Sequence, residues 1–388
     1  MRDKAILAIL VAICVAAPGY FLLFPVQVPT VSATVPFAPY KVNMQGNTAL
    51  AYELEFNDYD LDGLQLTRVD VYAKDNGTLL QTIEGDYLAQ TFHARSIPAP
   101  TADEMQKGTG KLLHPRLSIF ISVGNSSGLT GLGHDLTFSW NRGGLVHAIG
   151  PQVMCQTGPI PVIGAPLAGS GWMGVETSIA TSHHMLAQIT MNGITRCSQR
   201  YAVDYIITDA NASIYSGDFY NNSDHYCYGK DLIAVADGVV TYVRDNIWEN
   251  VPGGPNANLT MNQAGGNMVI IDIGGGFYAQ YAHAILGSIE VQVGDHVTKG
   301  QVLAKLGNSG NSGGPHLHFQ LGTDPYDILN SEGLPFLIDN YSVDGLEIEN
   351  PISGSPEIHR YEPPQQWHAS WFTNNEWTSY GRTALGVF

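Results

Sequence analysis

Positive charge is scarce in this chain. Of its 388 residues, 18 are Lys or Arg against 35 Asp or Glu, and the formal net charge is −17. No basic stripe is available to neutralise a phosphate backbone, which excludes nucleic acid as a partner. Charged residues of both signs make up only 14% of the chain and no acidic block stands out, so the negative balance reads as solubility. Cysteine is scarce too. Cys14 lies in an N-terminal apolar run, and the bulky Ile13 before it does not fit a lipoprotein cleavage box, which excludes lipidation. Cys155, Cys197 and Cys227 remain, an odd number. They fit either one Cys197–Cys227 disulfide with a leftover thiol or three reduced, buried thiols.

At this length the chain can form two domains with full cores. With 44% hydrophobic residues, 43 Gly, 21 Pro and 19 Tyr, it reads as globular and β-leaning. Arg2 and Lys4 precede an apolar run from Ala5 to Phe24, followed by PVQVPTVSATVP. A basic stretch before an apolar one is an export signal. Val31-Ser32-Ala33 offers a cleavage site, while the run also has the length of a membrane-spanning helix. Residues 1–33 are therefore expected to be a cleaved signal or a retained tether through residues 5–24. Either way the rest of the chain lies outside the cytoplasm, periplasmic or extracellular.

From Val35 to Trp140, short alternating runs such as ALAYELEF and RLSIFISV are separated by turn signals, with Asp75-Asn76-Gly77 marking a hairpin. Strands at this spacing, without helical periods, predict a β-sandwich over 34–144, Ig-like in the loose sense. Residues 145–182 read as a Gly/Pro-rich connector around GPIPVIGAPLAGSGW, lying over the domain that follows. A second all-β domain is expected over 183–325, with a turn at Asn192-Gly193. Residues 326–388 read as an aromatic, polar extension with little periodicity.

The chemistry is concentrated in the second domain. In GGPHLHFQL (313–321) alternate side chains of an extended strand share a face, so His316 and His318 point one way while Leu317 and Phe319 point into the core. That spacing suits two imidazoles converging on one ion or substrate. Taken alone, an HxH is more often a solvent-facing pair.

The surrounding stretch, GDHVTKGQVLAKLGNSGNSGGPHLHFQL, resembles the LytM/lysostaphin-type zinc endopeptidases of peptidase family M23, in which a Gly-Asn-Ser/Thr-Gly loop leads into a His-x-His strand. RYAVDY (200–205) is similar to the strand that carries the metal-binding aspartate. DLIAVADGVVTYV and YAQYAHA match two further family segments, the second carrying a catalytic histidine. The resemblance spans Arg200 to Leu321. It implies a lysostaphin-type β-sheet domain (the duplicated hybrid motif), zinc as cofactor and peptidoglycan peptides as substrate. It also implies Asp204 and His318 as metal ligands, with His283 and His316 flanking the attacking water and scissile carbonyl. Such chemistry needs three protein ligands, an open fourth position and a neighbouring imidazole to take a proton.

One position departs from the pattern. The family's first ligand is a histidine four residues before the aspartate, and Arg200 stands there. Arginine is always protonated and has no lone pair to give. The domain could have lost its metal and become a non-catalytic wall-binding or hydrolase-regulating module. It could bind zinc through Asp204 and His318 alone, or a ligand could come from elsewhere. Ser182-His183-His184 is the obvious source: reflection about the Asn192-Gly193 turn sets position 184 opposite about 201 on a neighbouring strand. His184 is the expected third ligand, with His183 within the uncertainty of register. Arg200 would pair with Asp204, clamp a substrate carboxylate, or be held by a surface acid. Asp224-His225 is another metal-capable pair. The DGVV and VQVGDHVTKGQVLAKLG segments also resemble half of a biotinyl/lipoyl carrier, but no hairpin lysine is present to be modified.

Overall fold

The structure, a computed structural model, describes residues 31–57, 63–93, 114–124, 128–191, 193–254, 259–349 and 355–381. The expected signal or tether at residues 5–24 lies outside them, as does Asn192. Among the described residues no helix is long and apolar enough to cross a membrane. The fold is all-β, with only two short α-helices described, Gly85–Thr91 and His183–Leu186.

The first unit is two five-stranded sheets face to face. One runs Ala33–Thr34, Asn47–Phe56, Arg116–Val123, Phe92–His93, with Val42–Met44 also on Asn47–Phe56. The other runs Val153–Met154, Gly131–Trp140, Leu64–Ala73, Leu79–Glu84, with Leu145–Ile149 also on Gly131–Trp140. The Asp75-Asn76-Gly77 signal sits in the hairpin between Leu64–Ala73 and Leu79–Glu84, where Gly77 takes a φ of 70° that a side chain would disfavour. The sandwich passes the expected limit at 144, because Leu145–Ile149 and Val153–Met154 complete its second sheet.

The Asn47–Phe56 strand explains how this unit meets the next. Its large residues, Leu50, Tyr52, Leu54 and Phe56, fill the sandwich core. The small ones between them, Ala49 and Ala51, belong to the core of the second unit together with Val42 and Met44. Period-two alternation thus buries both faces of one strand, each in a different core.

The second unit is built on a large sheet. Its strand order is Val162–Ile163, Leu337–Glu349, Glu376–Tyr380, Gly169–Val175, Val203–Ile207, Leu317–Gly322, Tyr278–Ala284, Asn267–Asp272, Gly238–Arg244, His296–Val297. Two expectations are corrected here. The connector supplies the Gly169–Val175 strand, which pairs with Val203–Ile207 on one side and Glu376–Tyr380 on the other. The C-terminal extension is not irregular: Leu337–Glu349 and Pro356–Ser370 form a long antiparallel pair. Pro356–Ser370 is mostly exposed on both faces, so it carries no alternation to read. Cys155, Cys197 and Cys227 are all free and buried, so the alternative of three reduced thiols holds and the Cys197–Cys227 pairing does not.

Candidate metal and catalytic site

Asp204 and His318 are direct cross-strand partners, and His318 in turn stands opposite Ala282. Leu317 and Phe319 are fully buried in the core, so His316 and His318 share the other face. Asp204 Oδ1 lies 2.9 Å from His318 Nδ1 and 3.6 Å from His316 Nε2.

His184 completes the cluster, though not by the expected route. Gln188–Met191 and Ile194–Cys197 do pair as an antiparallel hairpin, but the ladder ends at Gln188↔Cys197. His184 lies before it, in the one-turn helix His183–Leu186, whose N-cap Ser182 accepts a hydrogen bond from Met185 N. Arg200 and Asp204 do not share a strand either: Arg200 is in a turn, and the aspartate strand starts at Val203. The neighbouring-strand geometry is therefore corrected, while His184 Nε2 does lie 3.3 Å from Asp204 Oδ1.

Hydrogen bonds on the far side of each ring decide what these atoms can do. His184 Nδ1 donates to the Glu176 carbonyl at 2.8 Å, which leaves its Nε2 as a bare lone pair, buried and without a hydrogen-bond partner. The Gln320 amide nitrogen donates to Ser198 O and Gln280 Oε1, so its Oε1 faces His318 and accepts from Nε2 at 3.0 Å. That fixes His318 Nδ1 as a lone pair as well. Three acceptors, His184 Nε2, Asp204 Oδ1 and His318 Nδ1, then converge with no proton among them. Buried acceptors at such separations repel unless a cation lies between them. Tetrahedral zinc with bonds of about 2.0–2.1 Å sets its ligand atoms roughly 3.3 Å apart; from Asp204 Oδ1, His184 Nε2 lies at 3.3 Å and His318 Nδ1 at 2.9 Å. His183 Nε2 lies 3.7 Å from Asp204 Oδ2 at the exposed rim, and its ligand atom falls within 4.8 Å of those of His184 and Asp204.

His283 is brought in by a bulge. Regular alternation would place it on the core face with Ala279 and Tyr281. Instead Ala282 and His283 together oppose Met268, where the register slips between Asn267 and Val269. The His283 backbone is left-handed there, with φ 67°. Such bulges re-aim a side chain, and the His283 ring stands 4.6 Å from that of His316. Its Nδ1 donates to Ser309 O at 2.7 Å, leaving Nε2 bare. The loop making this contact needs Gly310: at φ 80°, a Cβ there would lie 2.3 Å from Gly266 N. His316 Nδ1 is 2.9 Å from Gly314 O, so its Nε2 also faces the site as an acceptor.

Burial disfavours a charged Asp204, yet the imidazoles around it, His184 and His316 foremost, hold its carboxyl well below the ordinary range once they take up a proton. Burial pushes His184 down, and His283 well down with help from His316 and His318, so both are neutral donors at neutral pH. Burial acts the same way on His183, but the Glu176 hydrogen bond and the Asp204 charge outweigh it and raise that ring.

Arg200 is not at this site. It is almost fully buried, with Nε and Nη2 at 3.1 and 2.6 Å from the two Glu53 oxygens, Nη1 2.5 Å from Glu332 Oε1, and its guanidinium over the Phe37 ring. The expectation that it pairs with Asp204 or clamps a substrate is corrected: it joins the two units. Asp224 accepts hydrogen bonds from Asp218 N and Asn221, and the His225 ring is held at Phe219 O. Neither is among the groups around Asp204. The orienting residues Glu176 and Gln320 were missed by sequence reasoning. Gln320 carried one usable signal, being two residues from His318 on the same strand face.

Residues 224–328 match the protein family described as peptidase family M23. The matched segment holds His283, His316 and His318 and starts downstream of Asp204 and the divergent Arg200. The chain is 31% identical over 125 residues to the glycyl-glycine endopeptidase ALE-1 of Staphylococcus capitis, covering 32% of this chain and 28% of that protein. Among solved structures it is similar to the catalytic domain of lysostaphin from Staphylococcus simulans, at 23% identity, 31% and 88% coverage and a TM-score of 0.21. It is also similar to a zinc containing peptidase from Vibrio cholerae, at 14% identity, 79% and 87% coverage and a TM-score of 0.22. The chain thus carries a region of peptidase family M23, as its motifs indicated.

Proposed function

We propose that the chain is a zinc-dependent endopeptidase that hydrolyses peptide cross-links of peptidoglycan outside the cytoplasm. The observation that carries this reading is the convergence of His184 Nε2, Asp204 Oδ1 and His318 Nδ1 as three proton-free acceptors. These residues would hold the zinc. When bound, it would supply Lewis-acid polarisation of the scissile carbonyl and a lowered pKa for the attacking water. His283 and His316 present bare Nε2 atoms to the same space. One takes the proton of the attacking water there, and the other can hydrogen-bond the carbonyl oxygen once it is protonated. Burial keeps His283 neutral, which suits it to the first role. Glu176 and Gln320 act at one remove, holding the tautomers of His184 and His318. The non-catalytic alternative rested on Arg200, and His184 removes its main support.

The test is metal content and hydrolysis in one preparation. The purified full chain should carry close to one zinc and release peptide fragments from isolated cell walls, with both lost to a chelator and restored by zinc. Metal-free protein that cuts no wall even with zinc added would overturn the reading.

A further inference from the structure

The sandwich has no residue among the six imidazoles and carboxylates of the site, yet one of its faces ends on the segment that carries His184. Asn47–Phe56 and Arg116–Val123 pair in register as Ala51↔Phe120, Glu53↔Ser118 and Glu55↔Arg116. Alternation puts all six side chains on one face, opposite Leu50, Tyr52, Leu54, Leu117 and Ile119 of the sandwich core. Each rung grips the second unit. Ser118 Oγ donates to Met185 O at 3.0 Å, one residue from His184. Arg116, paired to Glu55, donates to Gln188 Oε1 at 3.0 Å and to Thr195 O at 3.1 Å. Gln188 Nε2 then returns to Met185 O at 3.0 Å. Glu53 takes both arms of Arg200, and Phe120 packs on Trp371.

The His183–Leu186 helix is a single turn and cannot hold itself in water. At its start it is held by the Ser182 cap and by Glu176, which accepts from His183 N and His184 Nδ1. Farther along, the carbonyl of Met185 is held by the buried Cys197 thiol and by two buried side-chain donors, Ser118 and Gln188. One of these is a sandwich side chain, and the other is itself held by Arg116. Buried, fully satisfied networks of this kind rigidify what they join.

We propose that the sandwich is a structural part of the metal centre: its face bearing Ser118, Arg116 and Glu53 positions the segment that presents His184. This rests on the metal-site reading above. Ser118, Arg116 and Glu53 are positioning residues, and Arg200, at the place of the family's first ligand, anchors the contact through which the replacement ligand is held. Metal affinity therefore depends on residues of the other unit, none of which touches the metal.

The experiment uses the full chain, comparing wild type with Ser118→Ala and Glu55→Gln. Thr67→Ala, which loses a sandwich hydroxyl bonded to Thr137 O in the other sheet, is the control. Cobalt serves as the probe ion, read by chelator competition and by its visible spectrum, which reports ligand geometry. Amide hydrogen exchange is followed on the metal-free proteins. Both test variants are expected to bind cobalt at least about tenfold more weakly, comparable to losing an outer-shell partner. They should show a changed visible band and faster exchange at 183–188, while Thr67→Ala matches wild type. Wild-type affinity, spectrum and exchange in both Ser118→Ala and Glu55→Gln would overturn the proposal. Wild-type protein that binds no cobalt or zinc would overturn the metal reading instead. Exchange at 183–188 would then still decide whether the sandwich holds that segment.

Discussion

Oδ1 of Asp204 and Nδ1 of His318 lie 2.9 Å apart on adjacent strands, and neither has a proton to offer the other. In the metal-free protein at neutral pH, with the rings unprotonated, this is a repulsive contact. Asp204→Asn replaces the anion by an amide whose nitrogen can donate to His318 Nδ1 or His184 Nε2. Metal affinity should fall by about 100-fold or more, while the metal-free protein melts at the same temperature or a few degrees higher. Calorimetric zinc titration and chelator-containing melts test both halves. A lower melting temperature with metal affinity retained would contradict the acceptor assignment.

His184→Ala and His283→Ala should separate binding from chemistry. The first removes a ligand and should leave the purified protein with little zinc. The second should keep its zinc and lose about 10²–10⁴-fold in rate, the usual worth of a positioned acid–base group. Metal analysis beside wall hydrolysis reads the difference.

Gln320→Leu removes the acceptor that fixes the His318 tautomer. Metal affinity should drop about 10–100-fold, read by chelator competition. Equal affinities in wild type and variant would show that the amide is only packing.

Arg200→Met should destabilise the fold by about 3–5 kcal/mol, because Glu53 is left buried without its partner. Glu53→Gln combined with Arg200→Met should recover part of that loss. Denaturant melts in the presence of chelator measure it. An Arg200→Met protein as stable as wild type would mean the pair is accessible to water.

Stability of the metal-free protein should fall on acidification. His184 and His283 have imidazoles pushed down by burial, so the folded state binds fewer protons than the unfolded one. The stability they confer is complete above the unfolded imidazole value of about 6.5 and is lost as pH falls below it. Asp204, held low, adds a loss of the same sign at lower pH. His183, which is raised, acts in the opposite sense: its contribution is full below the unfolded value and fades as pH rises through its folded one. The two buried rings outnumber it, so melts from pH 8 to 5 should show a net decrease, and a flat profile would count against neutral rings in the apo state.

Much of the site was legible because strands alternate. The shared face of His316 and His318 followed from period two, and Asp204 from its motif. His184 was picked out by its chemistry as a donor, but its path was misread because a capped helical turn and a strand start look alike over four residues. Arg200 looked like a site residue because the motif placed it there, whereas its partner Glu53 is 147 positions away. No local pattern reports such a contact. The bulge at His283 was likewise invisible, since YAQYAHA reads as a regular strand. Only the facing residues show where the register slips.

The large sheet has a consequence for the order of events in biosynthesis. Glu376–Tyr380 is wedged between Gly169–Val175 and Leu337–Glu349. Gly169–Val175 is in turn the neighbour of the Asp204 strand. When residues 169–207 emerge from the ribosome, the outer margin of that pair faces solvent with its amides unclaimed, and it stays so until residue 380 has been made. The large sheet therefore cannot close strand by strand behind the ribosome; it waits for its last strand.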